Sequence, residues 1–364
     1  MKQAPDDFKP LPYSPSYEQP APDEAETIQE IIATMAEIQQ KTYKSQGHAI
    51  RSVHAKSHAL LKGELQVFDN LPPYLAQGLF AKPGTYPIVA RISTQPGDVL
   101  PDSVSTPRGI SFKVSGVEGG HLPDSDEQDT QDFILVNSPV FPKKLKEFLN
   151  GLKQFDALTN KAEGFKEGIS KVLRAAGEVV EKVTGSDAGV MAGMGGQLAT
   201  HPMGDIYYSQ VAFLYGDYMA KFSLTPVTPN LTALKDKPID IDSDDYALRH
   251  LLQEFFAGNG GEWELGVQLS TDIEKMPVED ASVEWPEEES PYLTVGKVTI
   301  SPQIGWSDER SAVVDDKMYF SPWHGLAAHR PLGVIQRARQ ATYKASADFR
   351  RNMYGKSENP ADVK

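Results

Sequence analysis

The 364-residue sequence contains no cysteine at all. This absence excludes disulfides, zinc–thiolate sites, iron–sulfur clusters and thiol nucleophiles, so any metal ion has to be held by histidine, carboxylate or tyrosine side chains. The sequence also lacks a run of 18 apolar residues, and we therefore expect no membrane-spanning helix. Its first 24 residues are acidic and rich in proline, without the apolar stretch of a secretory signal, which favours a cytoplasmic location.

The sequence contains fewer positively charged than negatively charged residues. The sequence has 36 lysines and arginines against 50 aspartates and glutamates, and its formal net charge is −14. Such a field repels phosphate backbones and anionic lipids, so we expect neither nucleic acid nor a membrane surface as a partner. Because positive charges are the minority in this sequence, several arginines that converge on one site would indicate a function there.

The distribution of prolines divides the chain. Residues 1–22 contain six prolines, which forbid a helix and predict an extended arm on the surface or on a neighbouring subunit, with a disordered tail as the alternative. Residues 23–45 carry isoleucines at helical spacing and predict a packing helix. We interpret residues 23–354 as a single domain and residues 355–364 as a C-terminal tail.

The central part of the domain has the pattern of a β-rich fold. Segments with alternating apolar residues run from residue 62 to residue 301, and residues 205–227 predict a hairpin that turns near Tyr215–Asp217. Six or more antiparallel strands at this spacing indicate a barrel or a sandwich. A helical insert is predicted at about 143–184 and a further helix at 325–354, so the fold class is α+β.

We assign no function to three further patterns, because each has weak specificity. His54 and His58 have the i, i+4 spacing of a metal pair, but no glutamate or third ligand accompanies them. Asp240, Asp242 and Asp244 begin like a calcium loop that lacks its glycine and its final glutamate. The glycine-rich residues 189–204 match no phosphate-binding motif.

Five motifs in order along the chain are more specific. They are Arg51-Ser-Val-His-Ala-Lys56, Arg91-Ile-Ser-Thr94, Thr106-Pro-Arg-Gly-Ile-Ser-Phe112, Val136-Asn-Ser-Pro-Val-Phe141 and Arg339-x-x-x-Tyr343, which continues to Arg350. These stretches resemble the haem-dependent catalase family, in its short, catalase-related branch of haem peroxidases. The resemblance spans residues 51–350 and therefore covers most of the chain.

The resemblance implies an eight-stranded antiparallel β-barrel of catalase type, with surrounding helices and a C-terminal helix that ligates haem b. The implied function is decomposition of hydrogen peroxide or organic hydroperoxides through an oxo-iron intermediate, by a catalase or by a peroxidase that uses an organic electron donor. The alternatives are a fatty-acid hydroperoxide isomerase of allene oxide synthase type and a non-catalytic haem-binding protein. We expect a homo-oligomer, and no NADPH because the chain ends about twenty residues after Tyr343.

The resemblance also implies which residues hold the cofactor. Tyr343 is the expected ligand of the iron, as a phenolate favoured by Arg339 one helical turn earlier. Three arginines are expected to pair with the two haem propionates, since buried carboxylates need charged partners. Apolar residues are expected to line the haem pocket. The remaining cofactor-binding residues so predicted are Arg51, Arg91, Arg350, Val53 and Phe141.

The distal side of the implied site has one departure from the family pattern. His54 is the expected acid–base catalyst, which moves a proton between the two oxygens of the peroxide, and Ser93 is expected to orient its ring. The family places an asparagine where this sequence has Val136. Either a shift of one residue brings Asn137 over the iron as a catalytic residue, or the distal amide is missing.

Overall fold

One antiparallel sheet organises the chain in the computed structural model, which describes residues 3–5, 7–142, 144–158, 196–356 and 362–363. Within these ranges there are nine strands: β1 Lys56–Val67, β2 Gly84–Thr94, β3 Arg108–Ser115, β4 Thr130–Val136, β5 Tyr207–Tyr208, β6 Phe213–Tyr215, β7 Tyr218–Pro226, β8 Gly261–Leu269 and β9 Leu293–Ile300. The sheet closes because β5 pairs with both β4 and β7, and β6 adds an extra strand beside β7. The predicted barrel of eight antiparallel strands is confirmed.

Helices surround the barrel. The same described residues form α1 Glu24–Gln46, α2 Leu145–Leu158, α3 Pro229–Thr232, α4 Ala247–Gly258, α5 Asp308–Val314 and α6 Val334–Tyr354. None of these helices is long and apolar enough to cross a membrane. The fold is therefore α+β, as predicted. The predicted helical insert is described only for α2, and the rest of it, from residue 159 onward, lies outside the described residues.

Strand alternation fills the barrel with apolar side chains. Phe112 and Phe133 face each other across β3 and β4, and their rings stack with centroids 4.8 Å apart. Phe222 of β7 meets Phe133 edge-on at 5.1 Å. Because successive residues of a strand point to opposite faces, the residues between these aromatic positions face outward. The outer face of β2 to β4 is thus available for other contacts.

A second apolar cluster fixes the segment between α5 and α6 on that outer face. Leu60 of β1 and Val89 of β2 pack against Val314, Met318 and Phe320, and all five are buried. Burial of each large apolar side chain stabilises the packing by about 1.5–3 kcal/mol. The segment 314–320 is therefore held beside the outward-facing residues of β2.

The helix predicted at 325–354 begins nine residues later, at Val334, and that part of the prediction is wrong. Pro331 has no amide to donate, and it favours the extended conformation that Arg330 adopts, with ψ of 130°. Gly333 has φ of 84°, outside the helical region. The predicted hairpin is confirmed, since Tyr215 pairs with Tyr218 across a two-residue turn.

The proline-rich arm lies on the surface of its own chain. The amide of Leu11 donates to the carbonyl of Ser270 at 2.7 Å. The Glu18 carboxylate accepts from Arg330 at 2.9 Å and from the backbone amide of Gly333 at 3.1 Å. The arm is thus attached to the turn that precedes α6.

Candidate active site

A cavity lies on the outside of the barrel, and the space it encloses is about 590 Å³ when the solvent at its open mouth is included. Outward-facing residues of three strands form one wall, and one face of α6 lies in another. The strand residues include Arg91, Gly109, Ser111, Ile134 and Val136, and the helix residues are Tyr343, Ser346, Ala347 and Arg350. The helix residues recur at i, i+3, i+4 and i+7, the spacing that places side chains on one face.

Three arginines converge on the segment Val314–Met318. Arg51 donates to the carbonyl oxygens of Asp315 at 2.6 Å and Met318 at 3.0 Å. Arg350 donates to the same two carbonyls, at 3.3 and 3.1 Å. The Nε of Arg91 donates to Asp315 Oδ1 at 2.6 Å. The predicted arginines are therefore brought together, although they arrive from a loop, a strand and a helix.

Electrostatics at this cluster favour an anion. Burial, together with Arg350 and Arg91, lowers the pKa of Arg51 well below its ordinary value. Burial and the nearby Arg91 lower the pKa of Arg350 to about 10. Burial opposes a charge on Asp315, but Arg91 and Arg51 hold the pKa of that carboxyl well below its ordinary value. Three guanidiniums outnumber the nearby carboxylates of Asp315 and Asp316, so the cluster keeps a positive charge that a carboxylate ligand would offset.

His54 lies in the loop before β1 in a left-handed conformation, with φ of 50°. Such a conformation is uncommon outside glycine and persists where the surroundings dictate it. Its Nδ1 is 3.2 Å from the hydroxyl of Ser93. A Cβ on Gly109 would lie 2.8 Å from its Cε1, so the strand needs glycine there to accept the ring. Burial, with Arg91 and Arg339, lowers the pKa of His54 to about 3.

Two of the predicted cofactor-binding residues, Arg339 and Phe141, are not part of the described lining of the cavity. The guanidinium of Arg339 lies over the ring of Phe141, 5.4 Å from its centroid, which is a cation–π contact. Arg339 also repels a proton on His54, so its charge is felt at the distal side. Tyr343 itself lines the cavity, one turn after Arg339 on α6.

The structure places Val136, and not Asn137, in the lining of the cavity. The Asn137 amide is engaged elsewhere, since its Oδ1 accepts from the amide of Arg108 at 2.9 Å and its Nδ2 donates to Asp205 at 3.0 Å. Ile134 and Val136 share the outer face of β4, and Asn137 follows the last residue of the strand. Asn137 therefore does not belong to the described lining of the cavity, which is the arrangement expected if the distal amide is missing.

Six of the predicted site residues line this single cavity: Arg51, Val53, His54, Arg91, Tyr343 and Arg350. Sequence reasoning missed Asp315, which is the centre of the arginine cluster, and the cavity-lining Tyr319 and Phe320. The sequence does carry a signal for Phe320, because Phe320-Ser-Pro lies a short distance upstream of α6. No local pattern marks Asp315.

The residues present fit haem b. Nη1 of Arg350 is buried without a hydrogen-bond partner, although the residue lines the cavity. An unpartnered buried donor is costly and indicates a missing acceptor. Haem supplies two carboxylates for the arginine cluster, and its iron accepts an oxygen ligand such as the Tyr343 phenol.

Comparison with known proteins gives structural matches only. No model of a protein family matches the sequence, and neither does any curated protein. A fungal catalase superposes with a TM-score of 0.57 at 20% identity over 88% of this chain. Catalase A from Saccharomyces cerevisiae gives 0.56 at 19% identity over 88%, and a bacterial catalase gives 0.56 at 16% identity over 99%.

The chain has the catalase fold. It spans about two thirds of the length of these catalases, which are covered to 65%, 67% and 66%. At these identities the likeness concerns the fold, and the activity has to be argued from the cavity. The cavity of this catalase fold brings the phenol, the imidazole and the guanidiniums together.

Proposed function

We propose that the protein is a haem b enzyme that decomposes hydrogen peroxide or organic hydroperoxides. The observation that carries the proposal is that Tyr343, His54 and the three arginines meet in one cavity. The phenol of Tyr343 suits the haem iron, the imidazole of His54 suits the peroxide, and the arginine cluster suits the two carboxylates of haem. When bound, haem supplies the redox and Lewis-acid chemistry that cleaves the oxygen–oxygen bond.

Tyr343 would hold the iron through its phenolate oxygen, and Arg51, Arg91 and Arg350 would hold the propionates. Arg350 has a donor available for a carboxylate, because its buried Nη1 has no partner among the described residues. The rigid fork of a guanidinium suits bidentate contact with a carboxylate. These residues orient the cofactor and keep its carboxylates satisfied.

His54 would act as the proton carrier. Its pKa of about 3 keeps the imidazole neutral at neutral pH, so that it can accept a proton. If the Ser93 hydroxyl accepts the proton on Nδ1, the free Nε2 is the basic atom. Nε2 then takes a proton from one oxygen of the peroxide and returns it to the other, so that water or an alcohol leaves.

Val136 favours the peroxidase reaction over dismutation. An isopropyl group accepts and donates no hydrogen bond, so this wall of the cavity does not help to hold hydrogen peroxide. Dismutation needs a second hydrogen peroxide to be bound and oxidised, whereas a peroxidase takes its electrons from an organic donor. We therefore propose an organic donor as the main reductant.

The test compares oxygen release with peroxide consumption after loading with haem b. We expect peroxide consumption that depends on an organic donor, with far less than one oxygen for every two peroxides. His54→Ala should keep haem and lose this turnover, while His250→Ala, at an exposed histidine, should behave as the wild type. Absence of haem binding, or full turnover in the His54 variant, would overturn the proposal.

A further inference from the structure

A second pocket adjoins the cavity and shares Arg51 with it. Its volume is about 690 Å³ including its open mouth, and Asp315, the centre of the arginine cluster, is part of its wall. The pocket is built from the end of α1, the loop before β1, the start of α4 and the end of α5. A molecule bound in this pocket would be separated from the cavity by the Arg51 side chain.

The rim of this pocket offers flat aromatic surfaces. Tyr246 is 38% exposed, an unusual value for a large apolar residue of this chain. The Lys56 ammonium and the Arg249 guanidinium lie 4.4 and 4.8 Å from the centroid of its ring and fix its position. His48 lines the pocket and stacks on Tyr354, with ring centroids 5.0 Å apart. The parts of these rings that remain exposed suit contact with another aromatic ring.

The cations of the pocket already have partners. Lys56 pairs with Asp102 at 2.7 Å, and Arg51 donates to the carbonyl oxygens beneath it. Arg249 donates to the carbonyl of Ser57 through two nitrogens, at 3.2 and 2.9 Å. The carboxylates of Asp315 and Asp316 also line this pocket, and together with the net charge of −14 they give an anionic ligand little advantage here.

The pocket does offer an acceptor for a hydroxyl group. Asp316 Oδ1 lies 2.7 Å from Nε2 of His48. The His48 ring is the one side-chain hydrogen-bond partner of Asp316 within the described residues, and Asp316 is mostly buried while His48 is half exposed. A carboxylate paired with an imidazole can accept a hydrogen bond from a neutral ligand and then take its proton.

We propose that this pocket binds a phenolic electron donor, an inference that rests on the proposed function. The phenol hydroxyl donates to Asp316, and its ring packs against the aromatic rim. The phenol would give one electron toward the bound haem, with Arg51 between the two, and its proton to the His48–Asp316 pair, which would leave a neutral phenoxyl radical. Two phenols thereby supply the two electrons and two protons that convert one hydrogen peroxide into two waters.

Binding is tested first, without turnover. p-Cresol is titrated into the haem-loaded protein and into the haem-free protein, and binding is followed by calorimetry. Val99 lines the pocket, so Val99→Trp should fill it and raise the Kd at least tenfold. Glu289→Gln removes a carboxylate from an exposed ion pair elsewhere and should leave the Kd unchanged. Circular dichroism and the melting temperature report whether each variant is folded.

Turnover then separates binding from proton transfer. Asp316→Asn keeps the shape of the side chain and should lower kcat for p-cresol oxidation about tenfold, with a smaller change in KM. Equal Kd values in wild type and Val99→Trp would overturn the donor site even if haem is bound and peroxide is consumed. An unchanged kcat in Asp316→Asn would overturn the role of the carboxylate. Failure to bind haem would instead count against the proposed function, and the haem-free titration still decides on the pocket.

Discussion

Replacing Arg350 by methionine tests whether the arginine cluster binds the carboxylates of haem. The substitution should not unfold the protein, because the carbonyls of Asp315 and Met318 keep their shorter hydrogen bonds from Arg51, at 2.6 and 3.0 Å. Burial and the nearby Arg91 already disfavour the charge of Arg350, whose pKa falls to about 10. We expect the unfolding free energy of the haem-free protein to stay unchanged or to rise slightly.

The expected loss of haem affinity follows from the unpartnered Nη1 of Arg350. A hydrogen bond from a buried guanidinium to a charged carboxylate contributes about 1.5–3 kcal/mol. That range corresponds to an increase in Kd of roughly 10- to 150-fold. Methionine keeps an unbranched apolar stem like that of arginine and favours a helix, so the packing of α6 should change little.

The assay measures the Kd of haem b and of its dimethyl ester for both proteins, from the absorbance change on titration. The ester retains the ring and the iron but has no carboxylate charge. Arg350→Met should therefore weaken haem b and leave the ester nearly unchanged, in the manner of a double-mutant cycle. An equal loss for both ligands, or no loss for haem b, would refute the reasoning.

Three other predictions concern separate parts of the structure. Val136→Asn should add a hydrogen bond to peroxide in the cavity. A bond of about 1.4 kcal/mol should raise the oxygen yield and the rate of peroxide cleavage roughly tenfold, as measured with an oxygen electrode and by stopped flow. Glu18→Gln should weaken the contact with the Gly333 amide and speed amide exchange in the first turn of α6. Burial opposes a charge on His324, but hydrogen bonds to carboxylates raise its pKa above 6.5 in the folded protein. The charged His324 therefore stabilises the fold fully below pH 6.5, and this stabilisation is lost as the pH rises through the pKa of the folded state. In His324→Gln, that fall of the unfolding free energy should be absent from the pH profile.

Local patterns predicted the antiparallel strands but left a barrel and a sandwich open, and the resemblance implied the eight-stranded barrel. The alternation in β2 and β3 predicts which side chains enter the barrel, because the period of a strand is two residues. The same kind of reasoning placed the start of α6 too early. Good helix formers make up most of the predicted segment, but Pro331 and the positive φ of Gly333 prevent a helical turn before Val334.

The site was only partly predictable for two physical reasons. Asp315 stands in an ordinary acidic stretch, and only tertiary packing brings Arg91 and Arg51 to it. The choice between Val136 and Asn137 depends on strand register, because a shift of one residue turns a side chain to the other face. That register is set by pairing of β4 with β3, which no motif encodes.

The most direct test of the account is the absorption spectrum of the haem-loaded protein and of two tyrosine variants. The wild type should bind one haem and show a Soret band, and Tyr343→Phe should shift that band and weaken the binding. Tyr319 also lines the cavity, but burial raises the pKa of its phenol, so Tyr319→Phe should keep the wild-type spectrum. A wild-type spectrum in Tyr343→Phe, or no Soret band in the wild type, would contradict the account.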